Sequence, residues 1–394
     1  MTDFQSGVIA LLRNALGITA PAAVSGLDWE KVLTLGKQHQ ILSMLYYGVS
    51  AAKSDLPEKA IGILEKATLL SFVADGRQQH ELDCIRQAFE QNGIDYMLLK
   101  GARLKSLYPK SEMRQMGDAD ILIRVGQYEK IKPLLTALGY SEQTESDHEL
   151  IWVKPQTMLL ELHKRLIPSY NKDFYAYYGD GWQLAKKQSD TSFEYAMAPE
   201  DEWIYLFTHF AKHYRDGGIG IRHLVDLWLF LSAHPNMNEP YIRAQLDKLQ
   251  LLRFYENVLR TARVWFDGES SDEVTDFITE VIFGSGSYGT EQAHILSAAV
   301  KASKSTGSAR LAKSRKMRNL VFLPYASMCI KYPFLKKLPF LLPVMWGARA
   351  LTAVFQKRDS IRVQSERLKM MTPENVDRYQ ASLQFVGLDY NFKE

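Results

Sequence analysis

The spacing of apolar residues changes class twice along this chain, and that limits the fold more than any other feature. Up to about residue 93, Val8, Leu11, Leu12 and Leu16, and later Ile61, Ile63, Leu64, Leu69 and Leu70, recur at helical intervals with few breakers. Asn92-Gly93 then reads as a helix stop, and Ile94 to Leu99 is a short apolar run suited to a buried strand. Lys100-Gly101-Ala102 opens a short helix to Leu107, which Tyr108-Pro109 ends because the residue before a proline disfavours helical ψ. Residues 119–125 read as a second strand and 127–138 as a helix. Residues 148–153 and 158–162 read as a hairpin turned at Lys154-Pro155-Gln156-Thr157. From Pro199 onward the spacing is helical again.

The expectation is an α+β fold: a small mixed-sheet core at 85–168, an N-terminal helical region at 1–84, a helical domain at 169–290 closing the cleft, and a basic, apolar helical region at 291–394. A chain of 394 residues with 46% hydrophobic and 24% charged content has the composition of a folded globular protein, not a disordered or fibrous one. No fixed-period repeat points to a solenoid. Cys84 and Cys329 match neither a disulfide framework nor a paired-cysteine zinc site, and the first residues lack a secretory signal pattern, so a cytoplasmic setting is expected.

Charge is unevenly distributed. The interval between Glu291 and Asp359 holds 13 Lys and Arg and no acid, so against a total of +3 the remainder carries −10. Either the basic part covers the acidic part, or it faces an anionic partner.

Chemistry is concentrated in two short acidic patterns. In Asp118-Ala119-Asp120 the acids are one residue apart, and on a strand a period of two sends both to one face. Glu161 and His163 have the same relation on a later strand, and pairing those strands would gather three carboxylates into a divalent-metal clamp. An apolar run, Ile121-Leu122-Ile123, follows at once, so a carboxylate at Asp120 would be costly without a cation. Upstream, Gly101 at a strand-to-helix turn would let backbone N–H groups approach a triphosphate, with Lys100 adding positive charge.

These residues resemble the signature of the polymerase-β-like nucleotidyltransferase superfamily: a glycine turn, an acid-x-acid pair on a strand, then a third acid. More narrowly they resemble an uncharacterised bacterial group of nucleotidyltransferases. The matching text is Leu98-Leu99-Lys100-Gly101-Ala102, Tyr108-Pro109, Arg114, Gly117 to Ile123 and Glu161-Leu162-His163. It continues through His209 to His213, Arg222, Asp226, Tyr332-Pro333 and Leu341 to Trp346 with Arg349.

The resemblance implies that Asp118, Asp120 and Glu161 are catalytic and hold Mg²⁺ or Mn²⁺, with Glu161 helping to deprotonate the acceptor. Gly101 would lie against the phosphates of a nucleoside triphosphate, ATP first. Ala102 stands where the superfamily has a second Gly or Ser, and the distance from Gly101 to Asp118 is longer than usual, so phosphate handling passes to Lys100, Ser106 or Arg114.

His209 and His213 share a helix face beside Lys212. Three readings are open: a zinc hydrolase site completed by His223 or Asp226, a structural helix pair with an internal Arg222–Asp226 bridge, or His209, Lys212 and His213 lining the cleft opposite the carboxylates. The resemblance favours the last, together with His163 as a nucleotide contact.

At the other end, Lys313, Arg315, Lys316 and Arg318 precede an apolar stretch to Phe355 interrupted by Pro324, Pro333, Pro339 and Pro343. Those prolines and the Lys336-Lys337 pair argue against a membrane span, and leave burial on the protein or peripheral contact with the membrane's inner face through 313–355. No sequence-specific nucleic-acid reading module is present.

The reading is a Mg²⁺-dependent transfer of a nucleoside monophosphate to a hydroxyl or phosphate acceptor (small molecule, glycan or protein) with release of pyrophosphate. A catalytically silent nucleotide-binding scaffold and a phosphohydrolase built on His209 and His213 are the alternatives. Asp118→Asn and Asp120→Asn are both expected to abolish turnover with the fold intact.

Overall fold

A computed structural model describes residues 1–52, 54, 56–306, 314, 318, 322–356 and 366–390. The chain is α+β: a seven-stranded mixed sheet flanked by helices. It divides into two compact units, the first formed by 1–212, 219–288 and the stretch beginning at Val386, the second by 213–218 and 289–385.

In the first unit, helices α1 (Asp3–Leu16), α2 (Trp29–His39), α3 (Leu42–Ala52) and α4 (Glu58–Gln91) precede the sheet. Their ends follow local chemistry: Thr2 and Gln5 form a capping box on α1, Gly17 ends it in the left-handed conformation at φ 65°, and Asp28 caps α2. Strand β1 (Tyr96–Leu98) leads into the one-turn helix α5 (Gly101–Leu104). Then come β2 (Asp118–Ile123), α6 (Tyr128–Ala137), β3 (Ser141–Glu145), β4 (Glu149–Lys154), β5 (Met158–His163), α7 (Lys172–Tyr178), β6 (Ala185–Lys187) and β7 (Glu194–Met197). The expected hairpin is present, with Thr157 N–H closing the turn on the Lys154 carbonyl at 3.3 Å.

The strand order is β3-β4-β5-β2-β1-β7-β6, with β2–β5 and β1–β7 parallel and the other pairs antiparallel. Thus β6 and β7 complete the sheet from beyond residue 168. One sheet face, carrying Ala119, Ile121, Ile123, Leu160 and Leu162, packs with Leu82, Ile85 and Phe89 of α4 and Ile131 and Leu135 of α6. That burial dictates what the other face can hold, because alternate residues must point away from it. Helices α8 (Pro199–Asp216), α9 (Ile221–Ala233), α10 (Glu239–Lys248), α11 (Leu252–Phe266) and α12 (Glu273–Ser285) follow, the last with an Asp272–Thr275 capping box.

The second unit contains helices at Glu291–Thr306, Tyr325–Lys331, Leu342–Gln356 and most of Pro373–Val386. Its small core joins Met328, Cys329 and Leu335 to Leu341, Met345 and Trp346, whose indole N–H donates to the Leu323 carbonyl at 2.9 Å. Trp346 and Leu335 are therefore packed on the protein, while Phe340 and Val344 are exposed. Lys313, Arg315 and Lys316 lie outside the described residues. Among the described residues, no helix is long and apolar enough to cross a membrane.

Candidate active site

Strand parity and register build the site. Asp120 pairs with Glu161 across β2 and β5, and Leu122 with His163, so Asp118, Asp120, Glu161 and His163 emerge on the face opposite the apolar core. One parallel strand pair thus brings Asp120 and Glu161 together with His163, while Asp118 shares their face two residues before Asp120 and lies outside that group of donor atoms.

Asp120 is buried at 5% exposure. Its Oδ1 receives two donors, Lys100 Nζ at 2.8 Å and His163 Nε2 at 2.7 Å, and His163 Nε2 is also 3.6 Å from Glu161 Oε2. Burial alone would raise the Asp120 carboxyl; Lys100 and His163 overcome it and hold the group well below the carboxylate range. Lys100 is held above its ordinary value, because Asp120 outweighs the burial of its ammonium. His163 is also raised, its bonds to Asp120 and Glu161 exceeding the opposing burial and Lys100 charge. Asp118 has the opposite fate: burial, then Asp120 and Glu161, push its carboxyl up to about 6. The face therefore carries one carboxylate that Lys100 and His163 compensate and one, Asp118, on which Lys100 and Arg222 only partly offset burial and the neighbouring acids.

That imbalance fits a divalent cation. Donor atoms of Asp120, Glu161 and His163 lie within 4.8 Å of one another, and Asp118 shares their face. Oxygen donors suit Mg²⁺ or Mn²⁺. With Nε2 directed at Asp120, His163 serves to orient that carboxylate. A second group, His148, Glu149 and His163, adjoins the first, with His148 Nε2 2.9 Å from Glu149 Oε2. Among the described residues, His209, His213 and His223 belong to neither group, so the zinc reading gains no ligand set on those histidines.

The glycine turn is placed as expected, but what it faces was not foreseen. Lys100 adopts φ 43° and ψ −114°, a positive φ at a non-glycine residue, and this aims its side chain at Asp120. A β-carbon on Gly101 would stand 2.8 Å from Arg114 Nη1 and 3.3 Å from Met116. Arg114 is buried and clamped to Asp226 through Nε at 2.8 Å and Nη2 at 2.9 Å, and Tyr108 OH donates to the same carboxylate at 2.7 Å. The Arg222–Asp226 bridge, one of the three readings of this helix pair, gives way to the Arg114 pair. Arg222 Nη1 instead donates to the Gln115 carbonyl and to Gln40 Oε1. Ser106 is exposed, its hydroxyl bonded to the Arg103 carbonyl at 2.9 Å.

Helix α8 is fixed beside the turn by a bidentate contact from Arg103 to Glu202, at 2.6 and 2.9 Å. Lys212 and His213 are half-buried on α8, as is His209, whose ring lies 6.4 Å from that of Tyr205. Tyr205 is buried on α8 with Lys100, Asp120, Glu161 and Glu202 as charged neighbours, and nothing in its helical, aromatic-rich sequence context points to that placement.

An α+β core that gathers carboxylates from two parallel strands beside a glycine turn has the organisation of a nucleotidyltransferase. The protein belongs to the family described as uncharacterised nucleotidyltransferases, whose family model matches residues 25–267. No curated protein sequence matches the chain. Among solved structures, the antibiotic-resistance factor ANT(2'')-Ia is similar with a TM-score of 0.32 at 12% identity, over 48% of this chain and 95% of that one, a likeness too weak to extend to the site.

Proposed function

We propose that the protein is a Mg²⁺- or Mn²⁺-dependent enzyme that transfers a nucleoside monophosphate from a nucleoside triphosphate, ATP first, to a hydroxyl or phosphate acceptor. The observation that carries this is the Asp120–Glu161 register, which assembles carboxylates on one sheet face, with Asp118 only partly compensated by Lys100 and Arg222. Asp118, Asp120 and Glu161 would hold the metal, which when bound neutralises phosphate charge and stabilises the departing pyrophosphate.

The acceptor oxygen forms a bond to the α-phosphorus as the bond to pyrophosphate breaks, and Glu161, the more exposed partner of the Asp120–Glu161 pair, takes the acceptor proton. Lys100 and the backbone at Gly101 approach the phosphates, with Arg114 holding the turn from behind. His163 orients Asp120, and α8 contributes His209, Lys212 and His213 as nucleotide contacts. A cytoplasmic location, with the basic region of the second unit resting against the membrane's inner face, is consistent with its composition.

The test is isothermal titration of wild type and Asp118→Asn with a non-hydrolysable ATP analogue, with and without Mg²⁺. Binding that needs Mg²⁺ and is lost in the variant supports the reading. No binding to wild type, or binding indifferent to Asp118, removes it.

A further inference from the structure

The phenol of Tyr205 is 1% exposed, and its hydroxyl has no hydrogen-bond partner among the described residues. Buried hydroxyls are almost always paired, since an orphan loses its bonds to water and gains none in return. Two polar groups near it already have partners of their own. Asp120 Oδ1 takes Lys100 and His163, and the adjacent Tyr178 hydroxyl is bonded to Thr208 at 2.8 Å. The Tyr205 ring is nonetheless held firmly. It sits edge-on to Tyr178 with centroids 6.0 Å apart, and Arg103–Glu202 locks the start of α8 one turn earlier. Three residues after Glu202 on the same face of α8, it lies on the side of the helix that meets the Gly101 turn, with Lys100, Asp120, Glu161 and Glu202 as its charged surroundings.

We propose that Tyr205 is a substrate-binding residue whose hydroxyl donates a hydrogen bond to a phosphate oxygen of the nucleotide held at the carboxylate face. The inference rests on the nucleotidyltransferase reading and adds a contact from α8, a helix remote in sequence from the acidic strands. Burial pushes the phenol up to about 12, so it stays a neutral donor wherever the carboxylates are ionised. Beside the Lys100 ammonium, an anionic oxygen is the acceptor that satisfies both donors at once.

Tyr205→Phe removes only the orphan oxygen, and separates a binding role from a structural one by sign. The full-length variant is expected to melt at the wild-type temperature or higher. It should bind the Mg²⁺ complex of a non-hydrolysable ATP analogue about tenfold more weakly in titration calorimetry. Equal affinity of variant and wild type overturns the proposal and leaves the nucleotidyltransferase reading intact. A lower melting temperature also overturns it, whatever the affinity, since the hydroxyl would then have a partner within the fold. Absence of binding to wild type removes both.

Discussion

Lys100 Nζ stands 2.8 Å from Asp120 Oδ1, at the end of a side chain whose backbone is held at φ 43°. A non-glycine residue in that region carries strain of about 1–3 kcal/mol, which the fold sustains to place a cation on a buried carboxylate. Lys100 is thus the protein's own charge compensation at the position where a divalent metal is proposed to act.

Lys100→Met removes that compensation and leaves Asp120 with His163 alone. Urea unfolding of the metal-free variant is expected to show a loss of about 3 kcal/mol, the scale for breaking a buried pair. Mg²⁺ should then restore more stability to the variant than it adds to wild type. An equal Mg²⁺ effect on both would refute competition between the ammonium and the metal.

Asp118 and Asp120 should respond differently to the same change. Asp120→Asn breaks contacts to Lys100 and His163 and is expected to destabilise by about 3 kcal/mol. Asp118→Asn relieves a carboxyl already pushed up by burial and by Asp120 and Glu161, so the metal-free variant should match or exceed wild type by up to about 2 kcal/mol. Both should lose Mg²⁺-dependent nucleotide binding. The expectation of an intact fold is therefore kept for Asp118 and revised for Asp120. Equal stabilities in thermal melts would contradict the difference in partners, Lys100 and His163 on Asp120 alone, on which the revision stands.

Gly101→Ala would set a methyl group 2.8 Å from Arg114 Nη1. An unclamped arginine would swing aside, but Asp226 grips this one through two bonds. A stability loss of about 1–3 kcal/mol is expected, the range for overpacking. It should shrink when Arg114→Lys is added, because the shorter-reaching ammonium vacates the collision. A double-mutant cycle with purely additive losses would show that the two positions do not meet.

His39 supplies a pH dependence of its own, on a group outside the carboxylate cluster. It is fully buried, with Nε2 3.1 Å from the Phe283 carbonyl and Nδ1 accepting from Ile221 N–H at 3.1 Å, and burial lowers its value from 6.5 to about 4. The folded state binds fewer protons here than the unfolded state, so stability is fully present above 6.5 and is lost as pH falls toward about 4. The loss should reach about 3 kcal/mol. His39→Gln, measured across the same range by urea midpoints, should show a flatter profile; an unchanged slope would assign the acid sensitivity to other groups.

Elements with strong periodicity were legible. The apolar runs around Tyr96 to Leu98, Asp118 to Ile123 and Met158 to His163 are strands, and helical spacing returns at Pro199. Strands β3, β6 and β7 were not legible. Ser-Glu-Gln-Thr-Glu in β3 is exposed throughout, and the other two are short, so hydrogen bonding to neighbours makes them strands where propensity and alternation give little signal.

By itself, then, the sequence determined parity: Asp118 with Asp120, and Glu161 with His163, share faces because a strand has a period of two whatever it pairs with. It also determined the glycine turn and the helical character of the flanks. Tertiary structure decided which strands met and in what register, and so joined Asp120 to Glu161 across residues not adjacent in the chain. It also gave Asp226 to Arg114, 112 residues away, in place of Arg222 four residues away. Helical spacing makes the nearer pair available, but burial rewards the partner that can supply two aligned donors to a desolvated carboxylate, and only folding brings that partner within reach.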